Sequence, residues 1–145
     1  MKLKALAERH IPGVAAVTVV LVHRFVWPQS YPRSATELLN NVVSLSGIAV
    51  GFLATGQALL CSLSDNFVVQ FLKKYSRFQD MLRFFSAAIR WCLCLALFSL
   101  AGYWVDFQKH AALFSVWLGL LSGASLTTMR VLLLFGRVLH GSTKE

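Results

Sequence analysis

Three long apolar stretches, Leu38 to Leu63, Phe84 to Val105 and Ala111 to Leu139, constrain this chain more than any other feature. Each is at least as long as the roughly 20 helical residues that cross a hydrocarbon core about 30 Å thick. The chain has 145 residues, 57% of them hydrophobic and 14% charged. A unit of that size cannot hide so much apolar surface in a water-soluble core. The expectation is an all-α integral membrane protein, with residues 1–145 forming a single membrane domain.

A fourth stretch, residues 11–27, is less clear-cut. Its uninterrupted apolar part runs only from Ile11 to Val22, and His23 and Arg24 follow. That length also suits the core of a signal peptide, with Lys2, Lys4 and Arg9 as a basic leader. No small-residue cleavage pattern follows, however. Arg24 can snorkel to the headgroups, and Phe25, Trp27 and Tyr31 suit an interfacial aromatic belt. The segment is read as a short, retained span, which brings the expected number of transmembrane helices to four.

The net charge of +8 does not point to nucleic acid. Basic residues of a DNA-binding domain cluster on a polar face, whereas here they sit at the ends of apolar runs. Eleven of the 14 Lys and Arg fall in the N-terminal flank, the central loop with adjoining Arg90, and the C-terminal end. Only Arg24, Arg33 and Lys109 fall on the opposite side. The positive-inside rule then puts both termini and the central loop in the cytoplasm of a multi-pass membrane protein. The outer loops are short, and Ser34-x-x-Glu37 in the first has the form of a capping box that starts the second helix.

No constellation in the chain supports catalysis. Intramembrane enzymes and proton-coupled transporters need ionisable groups in the bilayer centre, and the acidic residues all lie at or beyond the ends of the apolar runs. Four-helix multidrug transporters depend on a glutamate in the first helix, where this chain has none. The serines lack an adjacent base. Cys92 and Cys94 form a C-x-C pair that points to different helix faces without a nearby third ligand. The chain is therefore expected to be non-enzymatic, with no cofactor and no metal.

Small residues recur at four-residue spacing instead. The second helix carries Gly47, Gly51 and Thr55, and the fourth carries Gly119, Gly123 and Thr127. Such stripes let backbones approach closely in lipid, either within one protomer or across an oligomer seam. Gln57 lies within the second span and must face protein or water, because an unsatisfied amide in lipid is costly. It bonds to a neighbouring helix in one reading and lines a polar channel in the other.

Past Ser64 the aromatic and aliphatic positions Phe67, Phe71, Tyr75, Phe78, Leu82 and Phe85 follow helical spacing. Lys73, Lys74, Arg77 and Arg83 mostly fall elsewhere around that helix. Residues 64–85 are thus expected to form a basic amphipathic helix between the second and third spans. It either lies on anionic lipid or receives an acidic soluble partner, with Tyr75 or Phe78 as buried anchors.

The run VVSLSGIAVGFLATGQALLCSLSDNFVVQFLKKYSRFQDMLRFFSAAIRWCLCLALFSL joins a glycine-bearing helix, a Ser-Asp break, an FLKK-type amphipathic helix and another span. With four spans and both ends inside, this layout resembles the membrane subunit of the Kiwa anti-phage defence system. The resemblance implies a homo-oligomeric inner-membrane subunit that senses phage attack and works with a cytoplasmic DNA-binding subunit. The expected function is a membrane scaffold or sensor that oligomerises and recruits a cytoplasmic effector. A pore-forming effector, or a small channel or transport accessory protein, is the alternative. It would bring Gln57, Thr55 and Asn41 onto a common axis.

Overall fold

A computed structural model describes residues 2–26, 35–62, 77–105 and 111–141, with side chains placed over 10–26, 36–62, 79–105 and 112–136. All four segments are helical: α1 spans Lys2–Val26, α2 Ala35–Ser62, α3 Arg77–Ala101 and α4 Ala111–Gly141. Three of them are long and apolar enough to cross a membrane, over Thr36–Ser62, Gln79–Ala101 and Ala112–Gly136. The chain is therefore all-α and of membrane-protein character.

Helix α1 does not reach the same standard. Its apolar part is His10–Val26, because Lys2, Lys4, Glu8 and Arg9 occupy its first turns and His23 and Arg24 its last. Pro12 lies inside α1. It offers no N–H to the carbonyl one turn earlier, at the junction between the charged and apolar parts. The 17 apolar residues extend about 25 Å at 1.5 Å each, short of a full hydrocarbon core.

The element bounds also differ from those read in the sequence. The third apolar run was placed at residues 84–105. In the structure α3 starts earlier, at Arg77, and stops at Ala101. Gly102 N–H bonds to Phe98 O at 3.1 Å, and Tyr103 and Trp104 bond back to Leu100 and Ala101 in a closing turn. Arg77 to Phe85, assigned above to a separate amphipathic helix, are the opening turns of α3. Met81 and Phe85 are buried there, and the Phe85 ring packs over Gly56 of α2. The remainder of that predicted helix, residues 64–76, lies outside the described residues.

The helices do not pack in chain order. α2 packs on α3, α3 on α4, and α4 on α1, so α1 and α2 occupy the two ends of the arrangement. Every packed pair is antiparallel, as cross-helix contacts show: Gln57 with Ser86 and Asn40 with Tyr103 for α2–α3; Trp117 with Ser99 for α3–α4; His23 with Ser115 for α1–α4. The best-buried side chains, Trp117, Leu53, Val131 and Ser99, lie on the three apolar helices. Among the described residues α3 and α4 each pack closely on two helices and α1 and α2 on one, so α1 and α2 keep the larger uncovered faces.

Candidate functional site

The two small-residue stripes, alike in the sequence, have different surroundings. Gly119 on α4 is buried against α1: a methyl group there would lie 2.5 Å from Val20 Cγ2 and 2.9 Å from the Ala16 carbonyl oxygen. Gly123, one turn on, faces α3, where a methyl group would lie 2.6 Å from the Trp91 ring. Thr127 completes the stripe, buried, with its hydroxyl donating to Gly123 O at 2.8 Å and Ala124 O at 2.9 Å. Internal close packing thus occupies the α4 stripe.

On α2 the stripe is uncovered. Gly47 and Gly51 are exposed and a methyl group on either meets nothing within 4 Å. Thr55 is exposed as well, its hydroxyl donating to Gly51 O at 2.8 Å. Such a bond satisfies the hydroxyl on its own helix and needs no partner in lipid. At 100° per residue the outward face of α2 also gathers Asn40, Ser44, Ala54, Ala58 and Ser62, all exposed. Large side chains such as Leu45, Ile48, Phe52 and Leu59 stand at its margin. A nearly smooth strip therefore runs from Ser44 to Ser62, 18 residues or about 27 Å at 1.5 Å per residue, beyond Asn40, whose side chain meets Tyr103 of α3. The lipid-facing side of α3 is different in kind, carrying Leu93, Leu97, Leu100 and Trp104.

Gln57 is half-buried and points away from that strip, with its amide Nε2 donating to Ser86 Oγ of α3 over a long 3.4 Å. Asn41 and Thr55 lie within about 40° of each other around α2, but Gln57 lies about 160° from Asn41. The three do not share an axis.

A polar layer that the sequence reading passed over lies toward the end of the helices formed by the C-termini of α1 and α3. There, His23 Nδ1 is 2.9 Å from Ser115 Oγ, and its ring meets Phe114 edge-on at 5.4 Å between centroids. Its other nitrogen, Nε2, is buried with no hydrogen-bond partner among the described residues. Phe114 stacks in turn on Trp117, whose indole N–H donates to the fully buried Ser99 at 2.8 Å. Tyr103 Oη donates to Asn40 Oδ1 between α3 and α2. Apart from His23 Nε2, these polar groups pair with a group on a neighbouring helix. His23 had been taken as the edge of the first apolar run, but it shares a face with Ala16 and Val20 at spacings of four and three, which marks the face turned to α4.

At the opposite end are the basic residues. Arg83 is exposed and 3.6 Å from Asp80, a pair of little energetic weight at the surface. Arg130 of α4 lies over the Phe84 ring at 6.0 Å. Lys73, Lys74 and Tyr75 lie outside the described residues, and only the backbone is described for Arg77 and Phe78. Among the described residues no three His, Cys, Asp or Glu come together as a metal site would need. Cys92 is buried beside Thr128, with its sulfur 3.5 Å from Thr128 Oγ1, and Cys94 is exposed. The two point to different faces, as their spacing implies.

Comparison with known protein families, with characterised proteins and with solved structures finds no match to this chain.

Proposed function

We propose that this protein is a non-enzymatic membrane scaffold subunit that self-associates through the outward strip of α2 and recruits a cytoplasmic effector through its basic segment. The observation that carries the proposal is the contrast between the two stripes. Gly119 and Gly123 are filled by neighbouring helices of the same protomer, whereas the strip from Ser44 to Ser62 is smooth and uncovered. Lipid offers no hydrophobic drive for helix association, so a small-residue face gains from a partner helix whose backbone can approach closely. A second α2, presenting the same strip, has the matching shape.

In this reading α1 completes a set of four spans, held across its short apolar length by α4 and by the snorkelling of Arg24. Both termini and residues 64–76 then lie on the cytoplasmic side of a bacterial inner membrane. Lys73, Lys74, Arg77 and Arg83 supply positive charge for an acidic partner or for anionic lipid, with Tyr75 and Phe78 beside them. A division of labour between a membrane sensor and a cytoplasmic effector is what the Kiwa-like layout implies, and anti-phage defence is the role it suggests. The layout alone carries that part of the proposal. The divergent directions of Gln57 and Asn41 favour a scaffold over a pore lined by α2.

The test is the oligomeric state of the purified protein in detergent, by analytical ultracentrifugation, for the wild type and Gly51→Leu. An isobutyl group on the strip holds two backbones apart, at a cost of about 1–3 kcal/mol to association. The variant is expected to shift toward monomer while its helicity and unfolding temperature stay near those of the wild type. Leu97→Ala, on the lipid-facing side of α3, is expected to change nothing. A wild type that is monomeric at every concentration, or a Gly51→Leu protein that associates as tightly, overturns the proposal.

A further inference from the structure

Arg90 lies well inside the apolar length of α3, exposed on the side facing away from the protein interior. A guanidinium on a lipid-facing helix surface is costly unless it reaches a polar partner. Its Nε–H donates to Ser86 O at 3.2 Å, which orients the group along the helix toward the α3 N-terminus, as side chains of a helix lean. The four N–H donors on its terminal nitrogens remain. Among the described residues they meet no carboxylate; the ion pair present there, Arg83–Asp80, lies two turns away.

Dimensions fix where the guanidinium sits. Trp104, 92% exposed, is an interfacial anchor at one end of α3, and Arg83 occupies the same side 21 residues earlier. The helix rises about 27 Å from Arg83 to Ala101, and the closing turn that carries Trp104 brings the separation to about 30 Å, the thickness of one hydrocarbon core. Arg90 lies about 21 Å from the Trp104 level, and its side chain carries the charge roughly a turn further. The guanidinium therefore stands about 5 Å inside the Arg83 level, at the edge of the hydrocarbon core around the α3 N-terminus, where a long side chain can draw a lipid phosphate toward it. Ser86, whose carbonyl accepts from Arg90, also carries a hydroxyl that the Gln57 amide of α2 contacts at 3.4 Å. Above it on the same side of α3, Leu93 and Leu97 are 44% and 65% exposed, which suits acyl chains.

We propose that the α2–α3 face at this level is a binding site for an anionic phospholipid. The lipid phosphate is held by the Arg90 fork with help from Ser86 and Gln57, and its chains lie along Leu93 and Leu97. Planar guanidinium matches two phosphate oxygens at once, and cationic pockets between membrane helices at headgroup depth select charged lipids. Neither self-association nor effector recruitment enters this inference, which stands or falls apart from them.

The test is native mass spectrometry of the full-length protein in detergent, titrated with dioleoyl phosphatidylglycerol or dioleoyl phosphatidylcholine. Wild type is expected to retain phosphatidylglycerol in preference to phosphatidylcholine. Arg90→Gln is expected to weaken that retention about tenfold, the scale of one charge-assisted contact, whereas Arg24→Gln at the opposite end leaves it unchanged. Arg90→Lys keeps the charge without the fork and is expected to fall between, with circular dichroism and elution volume as folding controls. Equal retention of the two lipids overturns the proposal, as does full retention by Arg90→Gln. If Arg90→Gln does not fold, full retention by both Arg90→Lys and Ser86→Ala overturns it. Displacement of the lipid by excess inorganic phosphate identifies a free-anion site instead, and also overturns it.

Discussion

Replacing Gly119 by alanine adds one methyl group at the closest approach between α1 and α4. It would lie 2.9 Å from the backbone oxygen of Ala16 and 2.5 Å from Val20 Cγ2. A carbonyl cannot rotate away within a helix, and valine has little freedom about χ1 in one. Restoring ordinary contact near 3.4 Å therefore requires α1 to recede by about 0.5 Å at the Ala16 carbonyl and about 0.9 Å at Val20, which forfeits about a quarter to a half of the dispersion energy of the neighbouring atom pairs. The His23–Ser115 contact, 2.9 Å now and one turn away on α4, lengthens with it. Together these put the cost at about 2 kcal/mol, in the middle of the range for overpacking. Unfolding in mixed micelles, followed by circular dichroism, measures it. Gly13→Ala is the control on α1, since a methyl group there meets nothing within 4 Å. If Gly119→Ala unfolds within about 0.5 kcal/mol of the wild type, the spread of neutral surface changes, α1 is not seated on α4 through this glycine.

Trp117→Phe removes the indole N–H bonded to Ser99 and leaves that hydroxyl facing a smaller ring in a fully buried position. Interhelical hydrogen bonds in membranes average about 0.6 kcal/mol, so with the lost ring volume the same unfolding assay is expected to show a deficit of about 1–2 kcal/mol; an unchanged midpoint contradicts the contact. Reversing Lys73, Lys74, Arg77 and Arg83 to glutamate is expected to release a cytoplasmic partner in co-purification while the helices stay folded. Retention of the partner places its docking site elsewhere.

Hydropathy made α2, α3 and α4 readable, because a run of more than 20 apolar residues has few other solutions in water or lipid. The start of α2 was readable too: the helix begins at Ala35, directly after Ser34 of the capping-box pattern. Three things were not legible. Periodicity assigns a face to a helix but not a neighbour, so the two glycine stripes looked equivalent until Gly119 and Gly123 were seen filled and Gly47 and Gly51 open. The helical spacing that joined Phe67 to Phe85 is also what a membrane helix shows as it enters its own bundle, so the opening turns of α3 read as part of a separate surface helix. His23 was read only as the residue that ends the first apolar run. Its partner Ser115 is 92 residues away, and no local pattern announces such a pairing.

The order in which the helices pack has a consequence for biogenesis. Among the described helices α1 is made before α2 and α3, yet the helix it rests on, α4, follows both. Until then α1 has no seat, although it is the helix least able to remain in lipid alone: its apolar length is short, Pro12 interrupts its backbone bonding, and His23 is without Ser115. Synthesis of α2 and α3 meanwhile yields an antiparallel pair that is already packed. The nascent chain thus carries a completed hairpin beside an unanchored leading helix. Truncation before residue 111 would remove Gly119 and Ser115 together and leave α1 without its seat.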